Sequence, residues 1–477
     1  MTINHLPDEL LVEIFDFYRQ VIVQSYHLWP TERTWWSITL EWFELIHVCK
    51  RWRTIMFASA SRLGLCLILT PEKGGNMKTI LSRHFPPLPI EIHYYRPVKT
   101  KDIGRMLAAL KRSDRIRRIY LIASTAHLNR FFKATKGTFP ALETLELGDQ
   151  NSKELKIPAT FLKGPDLHLR SLKLHSISLP SASVSRLLSS TPALTNLYLV
   201  IDTDVSPPPA MSFLLSHLQG LPSLHHLDLE IQGFTDILVQ PAEPEEFSSF
   251  SKLTTFRYHG HSTFLNALLA RFAAPSLQEV NIWLGDGTLP LIPHLPRFIE
   301  NIEEHYHAIQ VEFHRGLSFS FLGHPGYAIH SPYFRCSNSL PESIMQMSSK
   351  FSARLATMQE LFVIRNTCAS GFFEDSIPWH RFFLQFPSVK ALRLEGMSNR
   401  RIAAVLHQDH GGPNPVLFPA LEEIELCTSR YWALEYERTS VLMDIFQPFA
   451  SARQEAGLPV NVFCRRSLRQ PWRFQVP

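Results

Sequence analysis

The stretch Pro140-Ala141-Leu142-Glu143-Thr144-Leu145-Glu146-Leu147 carries the pattern apolar-x-x-apolar-x-apolar just after a proline, and that pattern recurs along most of the chain. It returns as Leu169-Leu172-Leu174, Leu194-Leu197-Leu199, Leu224-Leu227-Leu229, Leu253-Phe256-Tyr258 and Leu277-Val280-Ile282. Successive starts lie 27, 25, 30, 29 and 24 residues apart, and Ile116-Ile119-Leu121 adds a unit 26 residues upstream. After a gap the series resumes as Met358-Leu361-Val363, Val389-Leu392-Leu394 and Leu421-Ile424-Leu426, 31 and 32 residues apart. The last two apolar positions of each unit are two apart, which sets both on one face of a strand. A period in this range marks a repeat array.

Helical spacing follows several units: Val184, Leu187 and Leu188; Leu214, Leu215 and Leu218; Leu265, Leu268, Leu269 and Phe272; Ile402, Val405 and Leu406. Strand then helix every 24 to 32 residues predicts an α/β leucine-rich-repeat solenoid over residues 67–477, with parallel strands on a concave face and helices outside. The asparagine that ordinarily closes such a repeat is not regularly placed, so the units are irregular. An irregular inserted segment interrupts them at about 285–339. Within it Phe298, Ile299 and Ile302 make a helical face. Ile309, Val311 and Phe313 alternate, His314-Arg315-Gly316 can turn, and Leu317, Phe319 and Phe321 alternate again, which predicts a hairpin. A helix opened by Pro341 and carrying Ile344, Met347, Phe351 and Leu355 inward follows.

If Leu145 and Leu147 face the core, Glu146 between them faces the other way. The same rule gives Glu146, Lys173, Tyr198, Asp228, Arg257, Asn281, Arg393 and Glu425 as a row along the concave face, the candidate surface for a protein target. The mixed signs of that row suit a polar protein surface better than a polyanion.

Composition narrows the function classes. The 477 residues hold 48 Lys plus Arg against 43 Asp plus Glu, a formal charge of +5 that gives no reason to expect a nucleic-acid partner. Hydrophobic content of 45% and aromatic content of 11% predict a globular chain. The six cysteines form no CxxC, which fits a reducing compartment. Acidic residues at Asp8, Glu9 and Glu13 break any secretory apolar region, and no apolar run approaches membrane-spanning length. A soluble chain of the cytoplasm, the nucleus or both is expected, with no membrane partner.

Local patterns for catalysis are missing: the sequence has no HExxH, no GxSxG and no phosphate-binding GxxxxGKS/T. Histidine groups such as His407 with His410, His305 with His307 and His225 with His226 lack converging further ligands. No enzyme, no metal and no cofactor are therefore expected. Two basic clusters, Lys111 to Arg118 and Arg465 to Arg473, read as a solvated helix end and a solvated tail.

The first 60 or so residues depart from the repeat. Pro7 suits the first position of a helix, and Asp8 and Glu9 oppose the positive end of its dipole. Leu10, Leu11, Ile14, Phe15 and Tyr18 then form an apolar stripe, and Trp42, Leu45, Val48, Cys49, Trp52, Ile55 and Met56 form a second. So few helices cannot bury so much surface, which implies a partner.

Leu6-Pro7-x-Glu9-Leu10-Leu11-x-x-Ile14-Phe15, followed by Val48-Cys49-Lys50-Arg51-Trp52-Arg53, resembles an F-box, the three-helix module that docks on the Skp adaptor of an SCF ubiquitin ligase. Together with the repeats behind it, this resembles the large fungal family of F-box proteins over nearly the whole chain. The resemblance implies an F-box module over residues 1–66 with a long inter-helix insertion at about 19–40. It also implies that Leu6, Pro7, Leu10, Leu11, Ile14, Leu45, Val48, Cys49 and Trp52 divide between packing the module and contacting the adaptor. The function implied is substrate recognition for a cullin ligase, joining a Skp-type adaptor, and through it a cullin, to a protein target. The alternative is a leucine-rich-repeat scaffold whose F-box is degenerate or serves a non-ubiquitin assembly.

Overall fold

The computed structural model describes residues 5–27, 41–70, 88–95, 100–135, 137–151, 155–162, 167–177, 181–202, 211–232, 248–284, 292–300, 307–313, 317–322, 333–336, 345, 348–349, 351–365, 378–395, 399–408, 417–428 and 438–466. The chain forms two compact units, Met1–Pro209 and Ala210–Arg473. Both are mixed α/β and built on parallel strands.

The first unit runs α1 (Asp8–His27), α2 (Glu41–Val48), α3 (Lys50–Ala58), β1 (Leu67–Leu69), β2 (Ile90–Tyr94), α4 (Thr100–Leu110), β3 (Ile116–Ala123), α5 (Thr125–Ala134), β4 (Thr144–Asp149), β5 (Ser171–Ile177), α6 (Ala182–Ser189) and β6 (Asn196–Asp202). Its strands are parallel and pair in chain order. Repeat pattern and register coincide: Ile119, Leu145, Leu172 and Leu197 are successive partners, as are Leu121, Leu147, Leu174 and Leu199. All eight are buried. The strand that leads into the repeats covers only Leu67–Leu69. Before it the chain turns through Gly64, whose φ of 58° lies in the left-handed region that glycine enters without a Cβ clash.

The second unit runs α7 (Met211–Gln219), β7 (His226–Gln232), β8 (Ser248–Ser249), β9 (Thr255–Gly260), α8 (Ser262–Leu269), β10 (Phe272–Ala273), β11 (Glu279–Leu284) and α9 (Leu295–Glu300). It continues with β12 (Ala308–Phe313), β13 (Leu317–Leu322), β14 (Tyr333–Cys336), α10 (Ser352–Leu355), β15 (Glu360–Arg365) and α11 (Trp379–Phe383). It closes with β16 (Ala391–Glu395), α12 (Asn399–Gln408), β17 (Glu423–Thr428), α13 (Arg438–Glu455) and β18 (Asn461–Arg466). The main sheet order is β7-β9-β11-β14-β13-β12-β15-β16-β17-β18.

One turn repeats at the foot of the strands. The amides of Leu142, Leu194, Leu224, Leu253, Leu277, Met358, Val389 and Leu421 each donate to the carbonyl three residues back. That is a β-turn, and proline fills its second position at Pro140, Pro192, Pro222, Pro275, Pro387 and Pro419, where its fixed φ is already correct. The carbonyl just ahead of a strand then accepts two amides of the next repeat: Glu143 from Arg170 and Ser171, Lys390 from Glu422 and Glu423. Buried backbone polar groups are thus satisfied between repeats.

The hairpin read from the alternating residues is present, with Ile309 opposite Phe321 and Phe313 opposite Leu317. It does not stand off the sheet, because a third strand, β14, pairs antiparallel with β13 and parallel with β11, while β12 runs parallel to β15. Parity explains the third strand. A meander of three restores the direction that a hairpin alone would reverse. Ile302, Pro341, Ile344 and Met347 lie outside the described residues, whereas Phe351 and Leu355 are buried as expected.

Phe272 is a correction. Helix α8 ends at Leu269, and Phe272 lies in β10, paired with Ser248 and stacked on Phe250 at 4.8 Å. Its helical spacing from Leu265 and Leu268 was a coincidence of two elements that both bury one side. At the chain's far end the Arg453 guanidinium is fully buried and donates to the carbonyls of Phe418, Leu421 and Leu458 at 3.1–3.2 Å, tying α13 to the turn before β17.

Candidate functional site

Two surfaces are candidates: the N-terminal helices and the sheet face opposite the buried leucines. In the helices, the salt-bridged Asp8–Arg51 pair at 2.5 Å and the Arg51 bond to the Leu6 carbonyl pin the start of α1 to α3. Glu13 pairs with Arg62. Cys49 breaks the helical run between α2 and α3, its sulfur accepting the Trp52 amide as an N-cap. Trp52 then meets Phe15 edge-on at 4.9 Å. Inside this wedge Leu11, Val12, Phe15, Ile46, Ile55 and Met56 are buried.

The apolar stripe of α1 is wider than that wedge can cover. Leu10 is 49% exposed, Ile14 42% and Phe17 68%, and at the end of α2 Val48 is 58% exposed. Seven large apolar side chains among the described residues are exposed, and five of them, these four and Tyr18, belong to α1 and α2. Of the residues read from sequence, Leu11 packs inward, Leu6, Leu45, Cys49 and Trp52 are half-buried, and Pro7, Leu10, Ile14 and Val48 face outward. Sequence reasoning missed Phe17, although it stands three residues after Ile14 and seven after Leu10, the spacing that would have found it. The side chains at 19–44 lie outside the described set.

On the sheet, the predicted row is a true register row. In the first unit Tyr120, Glu146, Lys173 and Tyr198 are successive partners. In the second, Asp228, Arg257 and Asn281 continue through Tyr333, Ser320, Gln310 and Phe362 to Arg393, Glu425 and Phe463. Two members do not project to solvent as the alternation rule suggests: Glu146 is 7% exposed and Glu425 4%. Neighbouring side chains on the ladder cover them. Glu146 contacts His175 at 3.1 Å, and Arg393 lies 3.2 Å from Glu425, 3.1 Å from Glu360 and over the Phe362 ring at 4.7 Å.

The first unit adds a cluster the repeat pattern did not reveal, because β2 lacks the leading leucine; its signal was Ile90-x-Ile92-x-Tyr94 after Pro89. His93 bonds buried Glu91 at 3.1 Å, Arg118 approaches Glu91 at 3.4 Å, and the His93 and Tyr120 rings lie 4.5 Å apart. Burial alone raises the Glu91 carboxyl, but the His93 bond and the Arg118 charge outweigh it and hold Glu91 below its ordinary value. Burial, helped by the Glu91 charge, pushes the Cys66 thiol up to about 12. Cys427 is likewise pushed up to about 12 by burial and by Glu425 and Glu395. Both stay protonated at neutral pH and are poor nucleophiles. Of the first basic cluster, Arg117 pairs with Glu143 at 2.7 Å and Arg115 donates to the Leu88 carbonyl, so these cations are structural rather than free.

Two further rows flank the central one in the second unit. On one side Thr255 pairs with Glu279, and Ala308, Glu360, Ala391, Glu423 and Asn461 follow one another. On the other, Glu230, His259, Trp283, Arg335, Ser318, Glu312, Ile364, Glu395, Cys427 and Arg465 are successive partners. Arg257 bonds Glu279 at 2.9 Å and His259 lies beside Trp283. Among the described residues no group of three His, Cys, Asp or Glu converges for a metal, and no helix is long and apolar enough to cross a membrane.

No family model matches the sequence. No curated protein matches it either. Among solved structures, the crystal structure of the TLR13–ssRNA13 complex overlaps 76% of this chain and 46% of that one, at 10% identity and a TM-score of 0.30. The chain thus spans less than half the length of that protein. An overlap so loose assigns it neither a family nor a function.

Proposed function

We propose that the chain is the substrate-recognition subunit of an SCF-type cullin ubiquitin ligase, with an F-box formed by α1, α2 and α3. The observation that carries this reading is the ledge of Leu10, Ile14, Phe17 and Val48, left exposed by helices whose other side is sealed against Trp52 and Phe15. Scattered exposed leucines need no explanation, but Leu10, Ile14 and Phe17 follow one another at helical spacing on α1 and so make a patch that does. Its occupant in this reading is a Skp-type adaptor, and the F-box-like Leu6-Pro7 and Val48-Cys49-Lys50-Arg51-Trp52 segments lie at the start of α1 and across the junction of α2 and α3. The open sheet face holds a protein target. The chain itself is non-catalytic: it raises the effective concentration of the target near a ubiquitin carrier brought by other subunits. Neither nucleic acid nor membrane has a part in it.

The test is binding of purified full-length chain to a Skp-type adaptor. Leu10→Asp with Ile14→Asp places charge on side chains already exposed, so the thermal midpoint stays within a degree or two while adaptor affinity falls about thirtyfold or more, the loss of about 2 kcal/mol usual for an interface anchor. Unchanged affinity overturns the docking assignment. Co-purification of the adaptor without a cullin replaces the ligase reading with that of a scaffold carrying a non-ubiquitin F-box.

A further inference from the structure

The open face of the second unit differs from that of the first in charge. In the first unit, Glu91 and Glu146 are balanced by Arg118 and Lys173 on the same face. In the second, the three register rows described above hold acidic residues at eight positions and arginine at four, with no lysine. The whole chain has a formal charge of +5, so this face is acidic against the trend of the protein.

Two of the four arginines are already paired with carboxylates. Arg393 is shared between Glu360 and Glu425, and Arg257 is held by Glu279. The excess of acidic positions runs along β7, β9 and β11 and again along β15 to β18, where Glu395 and Glu423 flank the Arg393–Glu425 pair along the strands. Aromatic rings sit among the acids: Phe362 already carries one guanidinium on its face, and Trp283 lies in the next row across from His259. Carboxylates with aromatic faces between them recognise a cation through both charge and ring quadrupole.

We infer that this face docks an extended, arginine- and lysine-rich segment of a protein target. The inference deepens the target-binding half of the proposed function and fails separately from the adaptor half. Full-length chain is titrated with a labelled dodecapeptide rich in arginine and lysine, and with its glutamate-rich counterpart. The basic peptide binds, the acidic one does not, and added salt weakens the complex, as expected for charge-led recognition. Glu395→Gln with Glu423→Gln lowers affinity for the basic peptide about tenfold or more. The control, Asp444→Asn with Glu455→Gln on α13 in the helical layer, leaves it unchanged. Equal loss in both variants, or no binding of the basic peptide, overturns the inference. Adaptor binding, measured on the same Glu395/Glu423 variant, is retained if the two halves are independent. Its retention alongside failed peptide binding sinks the docking face while the F-box reading stands.

Discussion

At the scale of single residues, buried charge on the sheet face is decided by neighbours. Glu91 carries a proton less readily folded than unfolded, since His93 and Arg118 outweigh the cost of burial. The sign of the pH effect follows. Its contribution to stability is complete above the ordinary carboxyl value of 4.5 and is lost as pH falls through the lower folded value. Glu91→Gln removes that contribution, so its urea midpoint lies below the parent's at about pH 7 and the gap narrows as the pH falls towards about 3. A gap that stays constant with pH contradicts the pairing. The sequence placed Glu146 and Glu425 on the correct face from period two alone, yet could not show them buried. Alternation fixes which side of a strand a residue takes, whereas coverage depends on His175 and Arg393 from adjoining strands.

At the scale of elements, the repeat is held by an apolar anchor and a turn whose contributions differ. Phe386 is fully buried at the first turn position and Pro387 occupies the second. Phe386→Ala leaves a cavity and costs about 3–5 kcal/mol. Pro387→Ala loses only the restriction of the unfolded chain, about 0.4–1 kcal/mol. Chemical denaturation of both variants checks the contrast, and comparable losses contradict the division of roles. The strands with a leading leucine were legible because the motif places three apolar residues at fixed offsets. β2, β14 and β18 were not, since each carries too little pattern to stand out and is recognised only by the strand it pairs with. The helical stripe of α1 was legible too, but its division into sealed and open halves required the position of Trp52.

At the scale of the molecule, strands inside each unit, such as β3, β4, β5 and β16, are paired on both sides, while β1 and β18 are each paired on one side among the described residues. Hydrogen exchange should therefore be faster at the strand amides of β1 and β18 than in β3 to β5 and β16, where opening must break two ladders. Mass spectrometry after deuterium labelling checks this, and equal protection throughout contradicts it. The sequence by itself determined the class of architecture, the faces of most strands and the apolar character of the amino-terminal helices, because those follow from spacings of two and of three or four along one chain. Only the tertiary structure decided that three strands rather than two fill the interruption, which apolar residues of α1 stay open, and that one sheet face gathers an excess of carboxylates. Those properties depend on register and coverage between segments far apart in the chain, and no local spacing records them.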